Sequence, residues 1–193
     1  MISMLRPVIL IATFVCFATA ARAQDEPVPT FGTTVVDSAG LRGTIYYLHS
    51  YNKTMSVDSL QHMKPRGTIY TRSLNVPPRD FREGFPGVTK RFEWFAIDYT
   101  GKFWIERPGD YEFSLLSDDG SMLYIDDRMI IDNGKMHPAE TKEGRVELGR
   151  GAHSIRVSYF QGPKWRVALV LKVAGPGEKM RVFTLDEFRP RSE

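Results

Sequence analysis

Ser117-Asp118-Asp119-Gly120-Ser121, followed by Leu123-Tyr124-Ile125-Asp126 and then by Ile130-Ile131-Asp132-Asn133-Gly134, decides the fold of this chain. Short apolar runs alternate here with acidic, glycine-bearing breaks, and the pairs Asp118-Asp119 and Asp126-Asp127 stand eight residues apart. That is the pattern of successive antiparallel strands whose turns collect at the ends of a sandwich. Turns gathered in this way can hold a cation or a polyhydroxylated ligand, so the functional reading begins at the same residues.

Outward from this stretch the pattern continues. Strands are expected at Thr44–Leu48, Thr68–Leu74, Phe92–Tyr99, Lys102–Ile105, Asp110–Leu116, Met122–Ile125, Met129–Ile131, Glu143–Leu148, His153–Phe160, Arg166–Val173 and Arg181–Phe183. Tyr111, Phe113 and Leu115 share one face, as do Ile155, Val157 and Tyr159, with Ser154, Arg156 and Ser158 opposite. Tyr99-Thr100-Gly101, Arg107-Pro108-Gly109-Asp110 and Leu148-Gly149-Arg150-Gly151 read as turns. The expected fold is all-β, a two-sheet antiparallel β-sandwich of jelly-roll type, with room for one short helix over Met55–Met63. The domain is expected over residues 41–173. The tail, 174–193, could add one edge strand before fraying.

The chain opens with a short basic start through Arg6, an apolar stretch from Val8 to Ala18, and Ala21-Arg22-Ala23. This reads as a secretory signal peptide over residues 1–23, followed by a polar linker over 24–40 containing Pro27 and Pro29. The protein is therefore expected to be exported, to the periplasm, the cell surface or the medium. Cys16 is the single cysteine of the 193 residues and lies in the leader, where Thr13-Phe14-Val15 lack the small residues of a lipid-attachment signal. A mature chain without thiols must rely on its core rather than on disulfides. The formal charge of +3 owes much to the leader, which carries Arg6 and Arg22 and no acid. A near-neutral mature chain has no basic footprint for nucleic acid, and it contains no second apolar run long enough for membrane insertion.

Taken together, Gly109-Asp110-Tyr111-Glu112-Phe113, Ser117 to Ser121, Ile125-Asp126, Ile130 to Asn133, Leu148-Gly149-Arg150-Gly151-Ala152-His153-Ser154-Ile155-Arg156-Val157-Ser158-Tyr159 and Ala168-Leu169-Val170-Leu171 resemble the PA-14, protective-antigen-type, domain. The resemblance covers about Leu41 to Val173, and its motifs are specific as a set. It implies a β-sandwich and, in many members, carbohydrate binding. In the fungal adhesin branch it implies calcium held by two neighbouring aspartates joined by a cis peptide, with an asparagine and carbonyls from a second loop. The aspartates correspond to Asp118 and Asp119, the expected metal ligands. The second loop corresponds to Gln161-Gly162-Pro163-Lys164-Trp165, where glutamine stands near the place of the asparagine and Lys164 adds a positive charge.

Each candidate site residue carries two readings. Asp118-Asp119-Gly120 suits a tight turn in which the carboxylates accept nearby N–H groups, or a calcium site built from hard oxygen donors. Asp132, Asn133 and His137 could serve a sugar site or form an ordinary turn. Trp165 could stack on a pyranose or begin a core strand, while Trp94 and Trp104 read as core. Asp126-Asp127-Arg128 reads as a hairpin tip. Catalytic motifs of the nucleophile-elbow, zinc-protease and phosphate-loop kinds are missing from the sequence. The expected function is a non-catalytic carbohydrate-binding module. Its candidate ligand residues are Asp118, Asp119, Asp132, Asn133, His137, Gln161 and Trp165, with a glycan as partner. The alternative is an envelope protein-interaction or structural module that binds no sugar.

Overall fold

A computed structural model describes residues 40–49, 60, 62–88 and 91–190. The expected leader and linker, and most of the Met55–Met63 segment, lie outside the described residues. The elements are β1 (Leu41–Tyr47), β2 (Gly67–Thr71), β3 (Asn75–Asp80), a 3-10 turn (Phe81–Glu83), β4 (Phe95–Ile105), β5 (Gly109–Asp118), β6 (Ser121–Ile125), β7 (Arg128–Asn133), β8 (Glu140–Leu148), β9 (Gly151–Gln161), β10 (Arg166–Ala174) and β11 (Arg181–Val182). One sheet has the order β2-β1-β4-β9-β6-β7; the other has β11-β10-β5-β8, with β3 beside β10. All pairings between these strands are antiparallel. The expected two-sheet β-sandwich is the observed fold. No helix among the described residues is long and apolar enough to cross a membrane.

The core lies between the sheets and follows the period-two pattern. Tyr111, Phe113 and Leu115 of β5 and Ile155, Val157 and Tyr159 of β9 are all buried. Phe85 stacks on Tyr159 at 4.9 Å between ring centroids, and Phe95 meets both rings edge-on.

Four local expectations need correction. Phe92–Tyr99 and Lys102–Ile105 are not two strands around a turn, because β4 runs unbroken through Gly101. There a side chain would press on Leu41, whose Cδ2 stands 2.6 Å from an ideal Cβ, so the glycine permits close approach rather than a reversal. The expected Thr68–Leu74 strand stops at Thr71, and β3, which carries Pro77 and Pro78, was not expected. The prolines fall where the register against β10 shifts between Val167 and Leu169, on a strand paired only with β10. Both circumstances relieve the missing N–H donors. Trp104 is half-buried rather than core, since Phe103 and Ile105 take the inward positions of β4. Trp94 is also half-buried, against a second small cluster of Leu48, Leu60, Ala96 and Phe160. Finally, the tail does not fray after β11. Phe183, Leu185 and Phe188 are buried in the main core, with the Phe183 and Phe188 rings stacked at 5.1 Å.

Three connections at one end of the sandwich each pass from one sheet to the other. Asp119-Gly120 joins β5 to β6, residues 134–139 join β7 to β8, and residues 162–165 join β9 to β10. The hairpin from β6 to β7 turns at the opposite end through Asp126 and Asp127, both at positive φ (49° and 62°) as a type I′ turn requires.

Candidate functional site

Asp118 closes β5 and Asp119 begins the crossover to β6; the peptide between them is cis, as the resemblance implies. Both residues are buried, at 5% and 7% exposure. Their carboxylates meet the other two crossovers. Asp119 Oδ2 accepts the N–H of Gly162 at 2.8 Å and lies 3.4 Å from Gln161 Nε2, and Asp119 also accepts a backbone N–H from His137. Asp118 accepts the N–H of Ala139.

Tyr159 and Gln161 brace this arrangement from below. The Tyr159 hydroxyl lies 2.7 Å from the Asp118 carbonyl and 2.6 Å from Gln161 Oε1, so its single proton serves two acceptors. Gln161 is fully buried and turns Nε2 toward the carbonyls of Pro163 (3.2 Å) and Arg166 (3.0 Å). The amide oxygen of Gln161 thus faces the tyrosine, and its nitrogen faces the aspartate.

Electrostatically the pair is under-compensated. Burial raises the Asp118 carboxyl, opposed by the Ala139 N–H and by the charges of His137 and Arg166. Burial pushes Asp119 up to about 6 against the Gly162 N–H, and the neighbouring Asp118 charge adds to the rise. Lys164 is paired with Glu93, its Nζ 3.5 Å from Oε1.

The remaining expected residues divide. His137 is half-buried beside the aspartates, with Nδ1 2.8 Å from the Pro138 carbonyl and Nε2 3.0 Å from that of Asn133. Asn133 is fully buried, and its Nδ2 donates to Ser117 Oγ and to the Glu140 carbonyl, both at 3.2 Å. Its Oδ1 is buried without a hydrogen-bond partner among the described residues. Asp132 faces solvent and accepts the Gly134 N–H at 3.0 Å in a turn. Trp165 is 75% exposed, so it is not a core residue. Met136 and Phe92 are exposed too, and neither had been expected at the site. Met136 comes close to Gly162, where an ideal Cβ would stand 3.1 Å from its Sδ. Phe92 packs edge-on to Phe81, whose N–H donates to the Trp165 carbonyl. Tyr159, Gly162 and Ala139 had also gone unrecognised. Tyr159 reads in sequence only as an inward position of β9, and the other two act through their backbone N–H groups.

One end of the two-sheet sandwich is thus closed by three crossovers over a buried acidic pair. The PA14 domain profile matches residues 52–184, and the chain belongs to that family. No curated protein matches the sequence. Among solved structures, an anti-sigma factor domain-containing protein is 19% identical, with a TM-score of 0.63 over 79% of this chain and 49% of that one. The chain thus spans about half the length of that protein. A PA14 sugar-binding domain from an RTX adhesin is 18% identical (TM-score 0.60, 77% of this chain and 96% of that one). The Epithelial Adhesin 9 A domain from Candida glabrata, in complex with Galb1-3GlcNAc, is 11% identical (TM-score 0.55, 78% and 88%). At these identities the likeness is one of fold.

Proposed function

We propose that this protein is an exported, non-catalytic carbohydrate-binding module that holds a glycan at the crossover end of the sandwich, assisted by calcium. The observation that carries the reading is a coincidence of chemistry at that end. Two buried carboxylates short of positive charge lie under loops that expose Trp165, Met136 and Phe92, three of the four exposed large hydrophobic residues among those described. An indole face suits the C–H face of a pyranose, and carboxylate and amide groups suit its hydroxyls. The sugar-binding title of the RTX adhesin domain and the disaccharide in the Epithelial Adhesin 9 complex support the same class of ligand. Binding without turnover is supported by the placement of Asp118 and Asp119. They adjoin in sequence and both accept backbone N–H groups, unlike an acid and a base placed across a glycosidic bond.

The donor chemistry fits calcium. Asp118 and Asp119 would hold the ion, and the cation would supply the compensation that burial denies them. Among the described residues no group of three His, Cys, Asp or Glu side chains is placed to hold a metal ion, so the further ligands would be carbonyl, amide, water or sugar oxygens. The partnerless Asn133 Oδ1 is one buried hard oxygen of this kind. Gln161, with its oxygen committed to Tyr159, acts as a brace. Export rests on the leader over residues 1–23.

A glycan array probed with the mature chain, with and without calcium, tests the reading. The expected affinity is weak, about millimolar to micromolar, because shallow polar sites return much of their contact energy to desolvation. Loss of binding in Trp165→Ala and Asp118→Ala supports the site. Failure of every glycan favours the second reading, in which the same exposed apolar residues dock an envelope protein.

A further inference from the structure

Beside the aspartates, on the other side of Gly162, lies a cavity of about 550 Å³ lined by His49, Arg91, Phe92, Glu93, Trp94 and Lys164, with Leu48 beneath. Its size is that of a small-molecule site. A single residue bridges it to the acidic pair: the Gly162 N–H bonds Asp119 Oδ2, and the Gly162 carbonyl accepts the N–H of Trp94 at 3.0 Å.

The wall of this cavity is fixed in place. Trp94 sits at φ 55°, a left-handed conformation that a bulky residue rarely adopts and that persists only where its surroundings impose it. Two hydrogen bonds to its carbonyl do so besides the bond to Gly162. The Trp94 carbonyl accepts from the Leu48 N–H at 2.7 Å and from Arg91 Nη1 at 3.0 Å. The same Arg91 nitrogen donates to the Leu48 carbonyl at 2.9 Å, while its guanidinium lies over the Tyr47 ring at 4.6 Å. An aromatic side chain is thereby held at the cavity before any ligand arrives.

The charge of the lining is asymmetric. Lys164 and Arg91 bring two cations against the single carboxylate of Glu93. Arg91 is spent on backbone carbonyls, but its charge remains. Lys164 is the adjustable member: half-exposed and 3.5 Å from Glu93, it belongs to a surface pair that holds weakly. A ligand carboxylate can take its place beside the ammonium.

We propose that this cavity selects acidic sugars, with the ring of a uronic acid on Trp94 and its carboxylate on Lys164. The inference rests on the carbohydrate reading above and names the ligand class of a subsite adjoining the Asp118–Asp119 end. Methyl glycosides of galactose and galacturonic acid, and of glucose and glucuronic acid, form two matched pairs differing only at C6. Titration of the mature chain with each, followed by NMR in calcium-containing low-salt buffer, isolates the carboxylate. The expected result is about fivefold tighter binding of at least one uronide over its neutral partner, a gap that narrows as salt is added. Lys164→Gln should bring the two affinities together. Glu93→Gln, which releases Lys164, should widen the gap. Both side chains lie at the surface, and melting curves confirm that the variants fold. Equal affinities in the wild type, or a preference that survives Lys164→Gln, overturn this inference and leave the carbohydrate reading standing. Binding of neither sugar in either pair also overturns this inference, while the glycan array decides the carbohydrate reading.

Discussion

Gly162 donates its N–H to Asp119 Oδ2 at 2.8 Å across a gap too tight for a side chain unless the carboxylate gives way: an ideal Cβ on Gly162 would stand 3.1 Å from that oxygen. The glycine thus brings the β9–β10 crossover against the acidic pair. Gly162→Ala should displace the carboxylate and cost about 1–2 kcal/mol. For a domain of this size that is a fall of roughly 2–8 °C in melting temperature, read by a thermal melt. Glycan affinity should fall as well.

The Asp119 carboxyl, raised by burial to about 6, makes stability depend on pH in a defined direction. Below about pH 4 the group is protonated in both folded and unfolded chains. Between about 4 and 6 the folded chain keeps a proton that the unfolded chain has lost, so stability falls as pH rises through this window. Above it the buried charge costs about 2–3 kcal/mol. Asp118, also raised by burial, acts in the same sense. Burial opposes charging of His153, but its pairing with Asp126 at 2.6 Å and with the Gly149 carbonyl raises it overall. That contribution is likewise lost as pH rises. Urea unfolding at pH 5 and pH 7.5, compared between wild type and Asp119→Asn, isolates the Asp119 share, and the variant should show the flatter profile.

Calcium should reverse that trend. Saturating the site a hundredfold above Kd adds roughly 2.7 kcal/mol to native stability. The gain should be larger at pH 7.5 than at pH 5, where Asp119 is mostly protonated and must release its proton to bind. Melting temperature with calcium and with chelator at the two pH values reads this out, and Asp119→Ala should abolish the response. An unchanged melting temperature in saturating calcium would leave the pair as a structural turn.

Tyr159→Phe keeps the ring stacked on Phe85 and deletes only the hydroxyl. The Asp118 carbonyl and Gln161 Oε1 then lose a donor in a buried setting. The expected cost is about 1–3 kcal/mol, measured by urea unfolding. Calcium and glycan binding should weaken too, since the brace under the acidic pair loosens.

Strand positions with clean alternation were legible because one physical rule, burial of every second side chain, sets both sequence and structure. β6 is the clearest case, and the inward rows of β5 and β9 follow the rule although neighbours such as Ser114 and Ser158 are buried as well. β3 was not legible, since Pro77 and Pro78 are tolerated there only through pairing limited to β10 and a register shift in that neighbour, both properties of tertiary structure. Gly101 misled for a similar reason: a glycine that permits close approach has the same letter as one that permits a turn. At the site, Asp118 and Asp119 stood out by chemistry, and of the two readings of Trp165 its exposure excludes the core one. The N–H donors of Gly162, His137 and Ala139 carry no side-chain signal, and the Trp94 cavity depends on a backbone angle that composition does not encode.

The three crossovers at the acidic end also have a mechanical meaning. Each carries the chain from one sheet to the other, so a force that slides the sheets past one another loads all three. Gly162 is bonded on one side to Asp119 and on the other to Trp94, so the β9–β10 crossover is tied down from both sides. A ligand gripping the loops would act as a rivet through this seam, and pulling on a loaded domain should require a higher rupture force than pulling on an empty one.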